Sequence, residues 1–307
     1  MSVIGIDTSN YTTSIAWFDG VSGVNCSRLL PVKQGELGLR QSDAVFAHIK
    51  SLPDLSGRLF SDMPKQSITA VGVSTRPRAV AGSYMPCFMV GYSHAKMLAD
   101  SLGVPLAEVS HQQGHVAASL WSADHLELMD EPHLAWHLSG GTTELLLVEP
   151  DGKNVICTKI GGTTDISAGQ LIDRTGQMLE LPFPSGKHLD ACSANAQLRE
   201  VFKVKCANME FSLSGVQNKV QQFHALHNDT AETAGYALRC VAQAVFTATQ
   251  QAMKTYPGLR VVFSGGVASN SLLREVIAPL NPIFSQPQYS TDNAMGVAVL
   301  AHRATEA

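Results

Sequence analysis

One local pattern occurs twice in this chain: a buried strand runs into a loop of small polar residues and returns as a second strand. The predicted strand, loop and strand are residues 2–7, 8–13 and 14–18 in the first half, and 133–138, 139–143 and 144–149 in the second. Further predicted elements are helical segments at 42–52, 85–102 and about 230–256, and strands at 70–74 and 260–263. Ser269 is predicted to cap one more helix after the last of these strands. This alternation predicts an α/β fold with largely buried sheets, and its duplication predicts two lobes with a ligand-binding cleft between them.

Composition narrows the class of protein. The 307 residues are 45% hydrophobic, which is enough for a two-lobed core. The formal net charge of −4 gives no general basic character, so any contact with RNA must be local or shared with a partner. The six cysteines form no CxxC pair, and no apolar run reaches the ~18 residues that a membrane span requires. These features predict a reduced, cytoplasmic protein without a membrane role.

Two histidines point to a metal. His111 and His115 are four residues apart, so on a helix their imidazoles share one face. Ser110, followed three positions later by Gln113, forms a capping-box pattern that starts a helix directly before His111. Two neutral imidazoles on one face can bind a divalent metal, although such a pair can also be a hydrogen-bonded surface turn. A metallopeptidase helix would carry glutamate where this chain has Gln112, so the pattern disfavours a peptidase.

Paired glycines follow two of the predicted strands, at Gly140-Gly141 and Gly265-Gly266. Without side chains, such loops let backbone N–H groups approach phosphate or ribose. Neither GxxxxGK[ST] nor GxGxxG occurs. Each pair alone could be a tight turn between a strand and a helix, but their occurrence in a duplicated pattern favours nucleotide binding.

Several segments resemble, in the expected order, the TsaD family, which makes threonylcarbamoyladenosine in tRNA. They are VIGIDTSNYTTSIA, SHQQGHVAASLW, LSGGTTELLLV, FSLSGVQ, VFSGGVASNSLLR and YSTDNAM. The resemblance covers nearly the whole chain. It implies the two-lobed actin-like, sugar-kinase and heat-shock-chaperone ATPase fold, with duplicated lobes. We place one lobe at residues 1–108 plus 288–307, closed by the C-terminal helix, and the other, with the nucleotide and substrate loops, at 109–287.

The resemblance also implies site residues. Asp292 would complete a metal site with His111 and His115, a ligand set that suits zinc or iron(II), although an aspartate there could instead cap the last helix. The candidate contacts for an adenine nucleotide or acyl-adenylate are Ser139, Gly140, Gly141, Thr142, Asp173, Gly186, Gly265, Gly266 and Asn270.

Three segments depart from the family pattern. Tyr11 and Thr12 stand at the two acidic positions of the family's first loop, which leaves Asp7 and Tyr11 as the candidate catalytic residues there. Arg76 and Arg78 occupy a segment where the family has a glycine-proline-glycine turn, and their guanidinium groups are candidates for binding an anion. Gln113 replaces a glutamate of the histidine segment, which removes one more charge near the expected metal.

The activity implied is transfer of a threonylcarbamoyl group from threonylcarbamoyl adenylate to the N6 amine of the tRNA adenosine next to the anticodon, with release of AMP. The implied partners are tRNA with a TsaB-like homologue and a TsaE-like ATPase, or a second copy in a homodimer. Two alternatives stay open. One is a diverged paralogue that carbamoylates another acceptor, and the other is a catalytically silent, nucleotide-binding partner subunit.

Overall fold

A computed structural model describes residues 1–9, 11–31, 39–62, 67–197 and 201–306. Within them the strands are β1 Ser2–Ser9, β2 Thr12–Phe18, β3 Gly23–Leu29, β4 Ile68–Arg76, β5 Leu106–Ser110, β6 His133–Leu138, β7 Thr143–Asp151, β8 Asn154–Thr163, β9 Cys206–Ala207, β10 Glu210–Phe211, β11 Val261–Ser264 and β12 Ile283–Phe284. The α-helices are α1 Gln41–Asp62, α2 Phe88–Leu102, α3 His111–Ser122, α4 Ala168–Met178, α5 Gly186–Ser193, α6 Ser214–His227, α7 Thr230–Thr255, α8 Ser271–Ile277 and α9 Met295–Thr305. No helix among the described residues is long and apolar enough to cross a membrane.

The two sheets share one topology. The first has the order β3-β2-β1-β4-β5, in which β1, β2 and β3 pair antiparallel and β1, β4 and β5 pair parallel. The second contains the equivalent order β8-β7-β6-β11-β12, extended by the short strands β10 and β9. There too β6 pairs antiparallel with β7 and parallel with β11. The predicted duplication is therefore present in the strand order itself.

The chain divides into two compact units. Unit 1 comprises residues 1–131, 149–157 and 292–307, and unit 2 comprises 132–148 and 158–291. The structure thus places residues 109–131 and 149–157, which were expected in the second lobe, in unit 1 with α9. Residues 288–291, which were expected in the first lobe, belong to unit 2. The core of unit 1 packs α1 and α2 against the first sheet, and the core of unit 2 surrounds the Ala-rich helix α7.

The first predicted loop is mostly strand. Residues 8–13 were expected to form a polar loop, but β1 continues to Ser9 and β2 begins at Thr12, while Asn10 lies outside the described residues. The hydroxyl of Thr8 donates to the Cys87 carbonyl over 2.9 Å, and that of Thr13 lies 2.8 Å from His48 Nδ1. Because distant groups satisfy these hydroxyls, the threonines can be buried in strands.

Two further boundaries differ from the prediction. Helix α1 was expected to end before Pro53, but it continues to Asp62 because Leu55 and Leu59 extend its buried face along the sheet. The predicted cap Ser269 belongs to a 3-10 turn, and Asn270 caps α8 instead by accepting the Leu273 N–H over 2.9 Å. An asparagine side chain reaches that orphan N–H as well as a serine does.

Glycines bring α9 close to its neighbours in unit 1. A Cβ on Gly296 of α9 would lie 1.8 Å from the Gly114 carbonyl oxygen of α3. A Cβ on Gly5 of β1 would lie 2.6 Å from the Ala294 carbonyl oxygen, just before α9. Any larger residue at either position would push the backbones apart. These contacts hold the start of α9 beside both β1 and α3.

Candidate metal centre and nucleotide loops

Three possible metal ligands converge in unit 1. His111, His115 and Asp292 each offer one ligand atom, and the three atoms lie within 4.8 Å of one another. The two Nε2 atoms are 2.9 Å apart, and Asp292 Oδ1 lies 3.5 Å from that of His111 and 3.2 Å from that of His115. These are the three ligands that the histidine spacing and the family resemblance implied.

Asp7 holds the first histidine in place. Its Oδ1 lies 2.9 Å from His111 Nδ1, and it also accepts a hydrogen bond from the Ser74 hydroxyl. Its Oδ2 accepts the N–H of Ser9 over 3.3 Å. A carboxylate on Nδ1 fixes the tautomer that directs the Nε2 lone pair toward a metal, as in known carboxylate–histidine–metal arrangements. Asp7, a catalytic candidate from sequence, therefore contacts His111 and is fully buried.

The fold explains why these residues meet. In the parallel sheet, β1, β4 and β5 point the same way, so Asp7, Ser74 and Ser110 lie toward their carboxyl ends. Ser110 then caps α3 with the predicted capping box, and His111 opens that helix. The carboxyl ends of parallel strands are where ligands bind in open α/β sheets.

Asp292 is a possible ligand and does not cap the last helix. It precedes α9, whose N-cap residue is Ala294, and the side chain of Asn293 accepts the Met295 N–H over 3.0 Å. The Asp292 carboxylate instead contacts the two imidazoles and the Ser9 hydroxyl, which donates to Oδ2 over 3.4 Å.

The local charges perturb the protonation of the cluster. Burial alone would lower the pKa of His111, but the carboxylates of Asp7 and Asp292 outweigh it and raise that pKa to about 10. Burial would raise the pKa of Asp292, but its contacts with the two histidines hold it well below its usual range. The pKa of Asp7 is lowered in the same way, against burial, chiefly by His111. The site favours positive charge among its carboxylates, as a cation site should.

The donor set fits a divalent metal. Two imidazole nitrogens and one carboxylate oxygen converge, a combination that zinc and iron(II) accept and that leaves coordination positions open. The orienting carboxylate that such sites require is also present in Asp7.

The predicted glycine loops lie together in unit 2. Gly265 has a φ of +90°, and a Cβ there would lie 2.2 Å from the Leu138 carbonyl oxygen, so this loop contacts the end of β6. Ser139 follows directly, and its N–H and hydroxyl bond to Thr142 to form a tight turn. A Cβ on Gly140, Gly141 or Gly266 would meet no heavy atom within 4 Å. These three glycines are therefore not required by packing.

A second group of the predicted nucleotide contacts surrounds the start of α5. Asp173 accepts the Ser185 N–H over 2.8 Å, directly before Gly186, and burial raises the pKa of its carboxyl. One turn further, Asp190 accepts the Asn270 side-chain amide over 2.8 Å. Asp190 was not among the predicted site residues, although its position four residues after Gly186 on one helix was a signal that could have identified it.

The residues that depart from the family pattern take different positions. Tyr11 lies at the hairpin tip and is 39% exposed, whereas Thr12 is buried in β2. Arg76 ends β4 and lines a cavity, whereas Arg78 is absent from the residues that line it. Gln113 is buried, and its amide donates to the Val155 carbonyl over 2.7 Å.

Solved structures define the class of fold. The chain is similar to full-length HypF, crystallised in a phosphate- and nucleotide-bound form, with a TM-score of 0.63 and 14% identity over 100% of this chain and 47% of that one. It is also similar to component A of the Acidaminococcus fermentans (R)-2-hydroxyglutaryl-CoA dehydratase, with a TM-score of 0.59, 15% identity and coverage of 99% and 98%. A ROK-family glucokinase from Streptomyces griseus gives 0.55 with 11% identity, over 99% of this chain and 100% of that one. The predicted actin-like and sugar-kinase fold is confirmed.

Sequence comparison identifies the family within that fold. The model of TsaD, tRNA N6-adenosine threonylcarbamoyltransferase, matches residues 37–299. The relative of that name from Carboxydothermus hydrogenoformans is 28% identical over 98% of this chain and 91% of its own length. The one from Streptococcus pneumoniae is 32% identical over 76% of this chain and 70% of its own. The chain belongs to the TsaD family, as the motifs indicated, and its relatives are transferases.

Proposed function

We propose that this protein transfers a threonylcarbamoyl group from threonylcarbamoyl adenylate to the N6 amine of a tRNA adenosine next to the anticodon. The observation that supports this most is the convergence of His111, His115 and Asp292 around one point, with the Asp7 carboxylate in contact with Nδ1 of His111. A family member without activity has no evident need for a three-ligand site with an orienting carboxylate.

The proposed reaction needs alignment more than it needs a strong base. The amine nitrogen forms a bond to the carbamoyl carbon, the bond from that carbon to the phosphate oxygen breaks, and AMP leaves while the amine proton passes to solvent or to the phosphate. A metal held by His111, His115 and Asp292, which we infer to be zinc or iron(II), would supply polarisation and orientation of the acyl group.

The chain's own residues position these groups. Asp7 keeps the Nδ1 proton of His111 in place and acts as a positioning residue, because its buried oxygens are taken up by His111, Ser74 and Ser9. The loops around Gly141 and Gly186 offer open backbone for the adenylate. Tyr11 provides the exposed polar group of the hairpin where the family carries acids.

The test is a reconstituted reaction with the full chain, threonylcarbamoyl adenylate and unmodified tRNA, read as modified nucleoside and AMP by mass spectrometry. It is run alone and with TsaB-like and TsaE-like partner proteins, which we infer are needed unless the chain acts as a homodimer. His115→Ala should abolish product. His125→Ala, which removes a half-buried histidine of the same unit that is paired with Glu127, should not.

A second candidate is transfer of the same group to an acceptor other than tRNA. It is supported by the hairpin tip, which presents Tyr11 instead of a carboxylate, and by Arg76 in place of a flexible turn. Metal and acyl-adenylate binding without modified tRNA would favour this candidate. Nucleotide binding without metal would favour a silent partner subunit.

A further inference from the structure

The segment after β4 forms an open cavity of about 430 Å³ in unit 1. Its lining residues are Arg76, Ala79, Val80, Ala81, Gly82 and Ser83. Small side chains make the space, and Gly82 supplies the left-handed backbone, with a φ of +76°, that turns the loop. The Ser83 hydroxyl accepts the Arg78 N–H over 3.0 Å and closes the turn. The cavity is an open depression bounded by one loop, and residues 79–82 of its lining are exposed.

Arg76 is the only charged residue in this lining. Within the described part of the chain, its guanidinium makes no ion pair or side-chain hydrogen bond, and it is only partly exposed. A guanidinium presents a planar set of N–H donors that matches an oxyanion, above all a carboxylate held by two parallel hydrogen bonds. The cavity therefore offers a cation and donors, and no acidic residue is among the described residues that line it.

The backbone places this cavity beside the candidate metal centre. Arg76 is paired with Ser110, the residue before His111, and the Gln112 N–H donates to the Pro77 carbonyl over 3.0 Å. A register shift between Ser74 and Arg76 marks a bulge in β4. Bulges next to active sites commonly redirect a side chain, and here the bulge separates the serine that contacts Asp7 from the arginine of the cavity.

We propose that Arg76 is a specificity-determining residue that binds the carboxylate of the transferred amino-acid group. This inference rests on the proposed function, because the acyl adenylate carries two anionic groups. Of these two groups, the phosphate can be bound by backbone N–H groups of glycine loops, whereas the planar carboxylate matches a guanidinium. Selection for a carboxylate-bearing acyl group then arises beside the metal centre, within unit 1.

The test measures binding of two probes to the metal-loaded full chain by calorimetry. The probes are N-carbamoyl-L-threonine and its neutral carboxamide, which differ only in the group that Arg76 would bind. The wild type should prefer the carboxylate by about 10- to 100-fold, the value of a charge-assisted pair. Arg76→Gln should remove the preference. Arg78→Gln, the same change two residues away and outside the cavity lining, should keep it.

Three results would overturn the proposal: equal binding of both probes to the wild type, a preference that survives in Arg76→Gln, or an equal loss in Arg78→Gln. If Arg76→Gln instead weakens AMP or inorganic phosphate and leaves the carboxylate preference intact, the residue serves a phosphate and the proposal is wrong. Transfer assays on the same proteins separate the two claims. If the wild type transfers the group and Arg76→Gln has an unchanged KM for acyl adenylate, the carboxylate subsite is refuted and the proposed function stands. If the preference depends on Arg76 but the wild type transfers nothing, the carboxylate subsite stands and the proposed function is refuted.

Discussion

Metal binding by this protein should depend steeply on pH, because His111 must lose a proton before its Nε2 can bind. Asp7 and Asp292 raise the pKa of His111 to about 10, against the effect of burial. Below that pKa the metal-free imidazole is protonated, so each bound metal displaces one proton from it. The apparent association constant should then rise about tenfold per pH unit, or about a hundredfold from about pH 6.5 to about pH 8.5. A histidine with an ordinary pKa of ~6.5 would give only about twofold over the same interval.

The measurement is a zinc titration in competition with a chromophoric chelator, corrected for the chelator's own protonation. Asp7→Asn removes the principal carboxylate that raises the His111 pKa, so its slope should fall toward that of an ordinary histidine. Asp130→Asn is the matched control, since Asp130 lies in the same unit but pairs with Arg303. It should keep the full slope.

A wild-type affinity that changes by about twofold or less over this interval would refute the reasoning, because His111 would then be neutral already. A steep slope that persists unchanged in Asp7→Asn would show that the proton comes from another group. Titration calorimetry in two buffers with different ionisation enthalpies counts the released protons directly. At about pH 7.5 it should give about one proton released per zinc bound.

Four further variants test separate parts of the structure. Asp292→Ala should abolish tight zinc binding, measured by calorimetry, because it removes one of the three candidate ligands. Gly141→Ala should weaken only AMP binding, also measured by calorimetry, because nothing in the structure packs against the Gly141 position and the fold should tolerate the methyl group. Loss of fold in both variants would contradict these roles. Gly296→Ala should lower the free energy of unfolding, measured in urea, by about 1–3 kcal/mol, because the added methyl group meets the Gly114 backbone. It should weaken zinc binding as well. An unchanged midpoint of urea unfolding would contradict the close approach of the two helices. Asp165→Ala should cost about 1 kcal/mol, because Asp165 accepts the N–H groups of Leu213 and Ser214 at the start of α6. Burial tends to raise the Asp165 pKa, but hydrogen bonds from the Ser212 and Ser214 hydroxyls and from these two N–H groups together lower it. The contribution of Asp165 should therefore be present above the unfolded pKa of ~4 and decline only as the pH falls below it.

Local patterns in the sequence predicted local structure well. The capping box of Ser110 and Gln113 forms as expected, and α2 ends at Gly103 in a left-handed conformation. The helix predicted at 230–256 is α7. Each of these features depends on residues within one or two turns, whose spacing the sequence displays directly.

Features that depend on distant residues could not be predicted in this way. Asp7 and His111 are 104 positions apart, and only the parallel pairing of β1, β4 and β5 brings the carboxylate to the imidazole. The buried threonines of the first hairpin looked like a loop because their partners, Cys87 and His48, are remote in sequence. Asp292 was assigned through family resemblance, because its spacing in the chain also fitted a helix cap.

The three departures from the family pattern have different physical meanings. Gln113 is explained locally: its side-chain oxygen accepts the Ser110 N–H over 2.8 Å while its amide donates to the Val155 carbonyl. An ionised glutamate could accept the Ser110 N–H but could not donate to the Val155 carbonyl. The glutamine side chain therefore links α3 to β8 by a hydrogen bond, and both of these hydrogen bonds lie within unit 1. Arg76 has no such structural partner among the described residues, and Tyr11 is exposed at a hairpin tip. A side chain that packing does not require is free to be selected for a ligand, so substrate differences from the family should be sought at Arg76 and Tyr11 and not at Gln113.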